Sequence, residues 1–203
     1  MSASLVTLVG NPRPGSRTLQ VAVEAAAAVA GRIGHRELNG HDGSADVVDL
    51  SELGAHLFAA AKSPVLEAAL DLVAGASVLV VASPTYKGTY TGLLKAFLDR
   101  LPPNALGGTV ALPLLVMGDP RHALAVEVHL RPLLVELGAA VPTPGLALVE
   151  ADLPRLSDVL AGWADRVAPQ VSAALSGAGR AAAREAGGER PAGEDAPAIG
   201  ATT

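Results

Sequence analysis

The chain has 203 residues, half of them hydrophobic, a formal net charge of −5 and no cysteine. With a mean hydropathy of +0.38, this length suits one sizeable α/β core and not two. Three classes are excluded: a nucleic-acid surface, which needs clustered Lys and Arg, a disulfide or thiolate-metal scaffold, and a helical membrane span, which needs about 20 apolar residues in a row.

In chain order, LVTLV (5–9), DVVDL (46–50), SVLVVAS (77–83), TVALPLLVMG (109–118) and VPTPGLALVE (141–150) read as strands. Between and after them, apolar residues at helical spacing predict helices over 18–31, 64–74, 92–101, 122–137 and 153–175. Gly31, Gly75 and Gly138 stand where helix ends commonly need a left-handed residue. The alternation is the βαβ rhythm of a parallel sheet, and strands 5–9, 78–82 and 110–117 are apolar on both faces, as central strands between two helical layers must be. The predicted fold class is α/β with five parallel strands, for which the doubly wound order 2-1-3-4-5 is one standard solution and the one expected here. Its ligand crevice lies beyond the carboxyl ends of the central strands.

With no cysteine in the chain, a reducing cytoplasm is the expected compartment, and the start, without a basic stretch followed by a long apolar one, does not read as a secretory signal. Segment 31–46 is a polar loop whose His35 and His41 have neither cysteine nor a carboxylate pair beside them, so no metal site is expected there. From 176 the composition turns to Gly, Ala, Pro and charge, too poor in large apolar side chains to offset chain entropy. The expected organisation is therefore a folded domain over 1–175 and a disordered tail over 176–203.

Three loops at the predicted crevice carry the chemistry. After the first strand, GNPRPGSRT places Gly10 and Gly15 at P-loop spacing, but Ser16 and Arg17 replace the Lys and Ser or Thr of that motif. Pro12 also breaks a dinucleotide fingerprint. What is left suits a single phosphate: Ser16 or Thr18 to cap the helix, and free N–H groups to ring an anion. A cation in a first helical turn is disfavoured by the dipole, and no Asp or Glu occurs before Glu24. Arg13 and Arg17 therefore either meet a ligand phosphate or are solvated and pair with acids distant in sequence.

After the third strand, SPTYKGTYTGLLKAFLD contains both tyrosines of the chain, Tyr86 and Tyr90. Pro84, Thr85, Tyr86, Lys87 and Gly88 offer an aromatic face and close backbone approach to a flat heterocycle, and Thr89 or Thr91 is placed to cap the next helix. An exposed turn with surface tyrosines is the alternative. After the fourth strand, Gly118 in Met117-Gly118-Asp119-Pro120 is either a place for a ring or ordinary turn chemistry. His122 and His129 receive no acid-base role.

These stretches, with LPPNALGGTVALPLLVMG between the second and third loops, resemble the NADPH-dependent FMN reductase family over residues 5–150, particularly the flavin reductases of two-component alkanesulfonate monooxygenase systems. The resemblance implies a flavodoxin-like three-layer fold, FMN with NADPH or NADH, and hydride transfer between the two cofactors without a catalytic side chain. It places Asn11, Arg13, Ser16, Arg17 and Thr18 around the FMN phosphate. Pro84, Thr85, Tyr86, Lys87 and Gly88 would border the isoalloxazine and ribityl parts, and Gly118 would lie near the ring. It also implies a homodimer or homotetramer and a flavin-dependent monooxygenase as receiver of reduced FMN. Met117-Gly118-Asp119 departs from the Gly-Gly-Thr type turn of close relatives, which leaves NADPH against NADH open. A reductase that retains FMN and acts on quinones or azo dyes, and an electron-transfer module without hydride chemistry, are the competing readings.

Overall fold

The computed structural model describes residues 4–33, 45–59 and 61–188. Five strands, β1 (Leu5–Val9), β2 (Asp46–Asp49), β3 (Val78–Pro84), β4 (Val110–Met117) and β5 (Leu146–Val149), form one sheet in the order β2-β1-β3-β4-β5. Every neighbouring pair is parallel, so the doubly wound order read from the sequence is the order observed.

The layers follow from strand alternation. Leu5 and Val9 of β1, with Val78, Val80 and Ala82 of β3, point into one apolar cluster, while Val6, Leu8, Leu79 and Val81 point into the other. Helices α1 (Arg17–Ile33) and α6 (Leu156–Gly188) cover the first face. Small residues on α1, among them Ala22, Ala25 and Ala26, let it pack closely beside Trp163, Ala164 and Val167 of α6. The short α2 (Gly54–Leu57) with α3 (Pro64–Ala74), α4 (Gly92–Leu98) and α5 (Arg131–Glu136) covers the second. The chain runs outward from β1 to β2 and then returns to β3, so their carboxyl ends flank the point where the winding reverses.

Several elements differ from expectation. Helix α1 runs through Gly31 to Ile33, and Gly75 closes α3 with an ordinary φ of −83°; of the three glycines only Gly138, at φ +94°, is left-handed. Residues 122–137 are not one helix but a 3-10 turn (Pro120–His122), a π turn (Val126–Leu130) and α5. Pro132 accounts for part of this, since it has no N–H and its ring crowds the carbonyl four residues earlier. Strand β5 begins only at Leu146: Pro142 and Pro144 have no N–H to give a ladder, and Arg131 holds the carbonyls of Val141 and Thr143 on its guanidinium at 2.6 and 2.5 Å. Residues 150–155 form a 3-10 turn containing Pro154 before α6 starts. Helix α6 then continues to Gly188, past position 176 where a tail is expected; the alanine-rich run there has high helix propensity. His35, His41 and residues 189–203 lie outside the described residues.

Pro113 in the middle of β4 breaks no ladder. Ala111 N–H points to Ala140, so position 113 faces that same side, where pairing with β5 starts only at Leu114. A proline is tolerated where no donor is required.

Candidate functional site

The first loop is built from the inside out. The Asn11 side chain, only 6% exposed, accepts the Arg13 N–H at 3.0 Å and donates to the buried Thr18 hydroxyl at 3.1 Å. Asn11 and Thr18 thus brace the loop and each other. Ser16 is the cap, its hydroxyl accepting the Leu19 N–H at 3.2 Å, and Gly15 takes a left-handed φ of +60° that brings the chain into the helix. The N–H groups at the start of α1 have no intrahelical acceptor. Arg13 and Arg17 are exposed beside them.

Arg17 has a partner that the local sequence does not contain. Its guanidinium lies 2.9 Å from a carboxylate oxygen of Glu150, at the end of β5 and 133 positions away. Both side chains are about half exposed or more. Arg17 therefore does pair with an acid distant in sequence, and the dipole penalty on its charge is offset by that carboxylate.

The second loop is a tight hairpin at the end of β3. Tyr86 N–H donates to the Thr89 carbonyl at 2.9 Å, and Lys87 and Gly88 between them have φ of +55° and +87°, the backbone of a type I′ turn. Thr85 N–H is already bonded to the Val116 carbonyl at 2.8 Å. The backbone donors the loop can offer outward are consequently those at its tip. Tyr86 is 41% exposed, whereas Tyr90 packs against the second apolar cluster, so one of the two tyrosines has a packing role. The Thr85 hydroxyl is buried without a hydrogen-bond partner in the protein.

Lys87 is strained, because a left-handed residue with a Cβ costs about 1 kcal/mol that asparagine largely avoids. Lys87→Asn is expected to raise the melting temperature by roughly 2–4 °C, as calorimetry would read. A lower melting temperature would mean that the lysine side chain contributes more than its backbone costs.

The two loops are tied together. Thr91 caps α4 by accepting the Leu94 N–H and donates its hydroxyl proton to the Gly10 carbonyl at 2.5 Å, while its own N–H donates to Ser83 Oγ at 3.0 Å. Ser83 in turn donates to the Pro84 carbonyl at 2.9 Å. The cap is the one expected at Thr89 or Thr91, but Ser83 and Thr91 were not among the expected site residues; a serine and a threonine eight apart around a loop give a weak signal, and the bonds from Thr91 to Gly10 and Ser83 appear only in the fold.

The third loop follows β4, next to Thr85. Gly118 is exposed with ordinary backbone, and a Cβ there would meet nothing within 4 Å. Asp119 caps the 3-10 turn through the Arg121 N–H and grips the Arg121 guanidinium at 2.6 Å. Those bonds hold its carboxyl down to about 2, so at neutral pH the loop presents an internally paired carboxylate and arginine. Among the described residues, no group of three His, Asp or Glu side chains is arranged to hold a metal ion.

A family model described as NADPH-dependent FMN reductase matches residues 3–153. FMN reductase (NADPH) of Escherichia coli K12 is 36% identical over 137 residues, which cover 66% of this chain and 67% of that protein. NADH-dependent FMN reductase SfnE of Pseudomonas putida is 30% identical over 90% of this chain and 97% of its own length; a further relative, 39% identical, is covered over 59% of its length. A solved apo structure of NADH:FMN oxidoreductase EMOB superposes with a TM-score of 0.65 at 30% identity, covering 89% of this chain and 90% of that one.

Proposed function

The chain belongs to the NADPH-dependent FMN reductase family, and from that premise we propose that the crevice between the β1 and β3 loops is its flavin site. The protein is an NAD(P)H-dependent FMN reductase. The single observation that carries the placement is the Thr91 bridge, which locks an anion-ready helix start and a tyrosine-bearing hairpin onto one another across the sheet's switch point.

The residues fit an FMN. Arg13, Arg17 and the first N–H groups of α1 meet the phosphate, with Ser16 capping the helix, while Asn11 and Thr18 keep the loop in shape from behind. Thr85 stands at the base of the hairpin, beside Tyr86. Tyr86 and the Lys87-Gly88 tip border the ring, Pro84 shapes the strand end, and Gly118 leaves room on the β4 side. When bound, FMN supplies N5 as the hydride acceptor for C4 of the nicotinamide, so orientation and water exclusion are what the protein must add.

Reduced FMN leaves for a flavin-dependent monooxygenase in this reading. The support is the exposed phosphate end: residues 12–15 and Arg17 are open to solvent, a geometry suited to flavin exchange. A homodimer or homotetramer is supported by Leu124, Val128 and Val135, exposed along the helical segment before β5, since such apolar surface is commonly covered. Among the described residues, no helix is long and apolar enough to cross a membrane.

The test is NADPH and NADH oxidation with FMN, FAD or riboflavin as acceptor, repeated with a quinone at trace FMN. Turnover that saturates with free FMN and prefers it to riboflavin is expected. Quinone turnover independent of added flavin would instead show an enzyme that retains its FMN. FMN binding without nicotinamide oxidation would show an electron-transfer module.

A further inference from the structure

Glu150 has no role in the flavin site as described, yet it holds one of the two arginines assigned to the phosphate. The pair is specific in its placement. Arg17 opens α1 and Glu150 ends β5 and opens the 3-10 turn that leads into α6, on the same face of the sheet. No acid lies in the first turn of α1, so Glu150 supplies the negative charge that the site otherwise takes from its ligand.

We propose that Glu150 is an internal competitor of the flavin phosphate, an affinity-setting residue that makes FMN a released substrate. The inference rests on the reading that Arg17 meets the phosphate. Glu150 meets a single guanidinium nitrogen, Nη1, so donors remain for a phosphate, but a carboxylate beside that phosphate repels it. Binding FMN therefore exchanges Arg17 from Glu150 to the phosphate, and Glu150 gives up its ion pair. On release of reduced FMN the carboxylate takes the arginine back, which lowers the cost of emptying the site. Both side chains are solvated, so the competition is worth only what an exposed ion pair is worth, enough to shift affinity several-fold without abolishing binding.

The experiment is FMN and riboflavin affinity by flavin fluorescence titration at low salt, on the full chain and on Glu150→Gln, Arg17→Ala and the double variant. Glu150→Gln is expected to tighten FMN about three- to five-fold, to leave riboflavin unchanged, and to slow FMN release in stopped flow by a similar factor. The gain should vanish in the Arg17→Ala background. Unchanged or weaker FMN binding by Glu150→Gln, or equal tightening of riboflavin, would overturn the competition, the weaker case making Glu150 a residue that positions Arg17 for the phosphate. If Arg17→Ala itself leaves FMN affinity unaltered relative to riboflavin, the phosphate assignment of Arg17 fails and the competition with it. If Arg17→Ala weakens FMN while Glu150→Gln changes nothing, only the competition fails.

Discussion

Gly10→Ala is expected to lower the melting temperature by roughly 3–10 °C and to weaken flavin binding with it. Gly10 is fixed on both sides, its N–H donating to the Ala82 carbonyl at 2.7 Å and its carbonyl accepting from Thr91. A methyl group there would fall 2.5 Å from Leu94 Cβ and 3.2 Å from two more atoms of that side chain. Leu94 is fully buried, and a Cβ cannot rotate out of the way, so α4 must move as a body. Overpacking of this kind costs about 1–3 kcal/mol, and each kcal/mol moves the midpoint by roughly 2–4 °C at this chain length. Because Thr91 heads α4 and bonds Ser83, the second loop shifts with the helix. Thermal unfolding and FMN titration of the variant check both effects. Gly118→Ala is the control for melting alone, since nothing lies within 4 Å of its Cβ position; a Gly10→Ala protein that melts and binds like the parent would refute the close approach.

Arg17→Ala should weaken FMN by about 1.5 kcal/mol, roughly tenfold, at the lower end of the range for a hydrogen bond to a charged group. The lower end applies because the folded protein does not offer a free guanidinium: Arg17 exchanges the Glu150 carboxylate for the phosphate instead of gaining a partner from water. Riboflavin, which has no phosphate, should bind the variant as it binds the parent. Equal losses for FMN and riboflavin would point to a disturbed loop and not to a lost phosphate contact. Stability should change little, since an exposed pair contributes about 1 kcal/mol at most.

Much of this protein was legible before any coordinates. Strands 5–9, 78–82 and 110–117 are apolar at every or nearly every position, as a strand between two helical layers must be, so helices on both faces could be read from periodicity, with the order 2-1-3-4-5 one standard solution for such a pattern. The proline and glycine content of GNPRPGSRT announced a loop at a helix start, and the tyrosines placed a second loop opposite it. Element ends were less legible. The prolines at 132, 142 and 144 mark both places in the sequence, but where β5 starts also depends on where Arg131 sends its guanidinium, which a local window does not show.

What the sequence determined by itself is therefore the architecture and the location of the crevice, because burial pattern is a local property repeated along each strand and helix. What the tertiary structure alone decided is which polar groups are engaged. Asn11 and Thr18 support the first loop from beneath, Thr85 is left with an unsatisfied hydroxyl, Thr91 joins the two loops, and Arg17 finds Glu150 from 133 positions away. Hydrogen bonds and ion pairs act over about 3 Å of space whatever the chain separation, and the fold is what brings those atoms within that range.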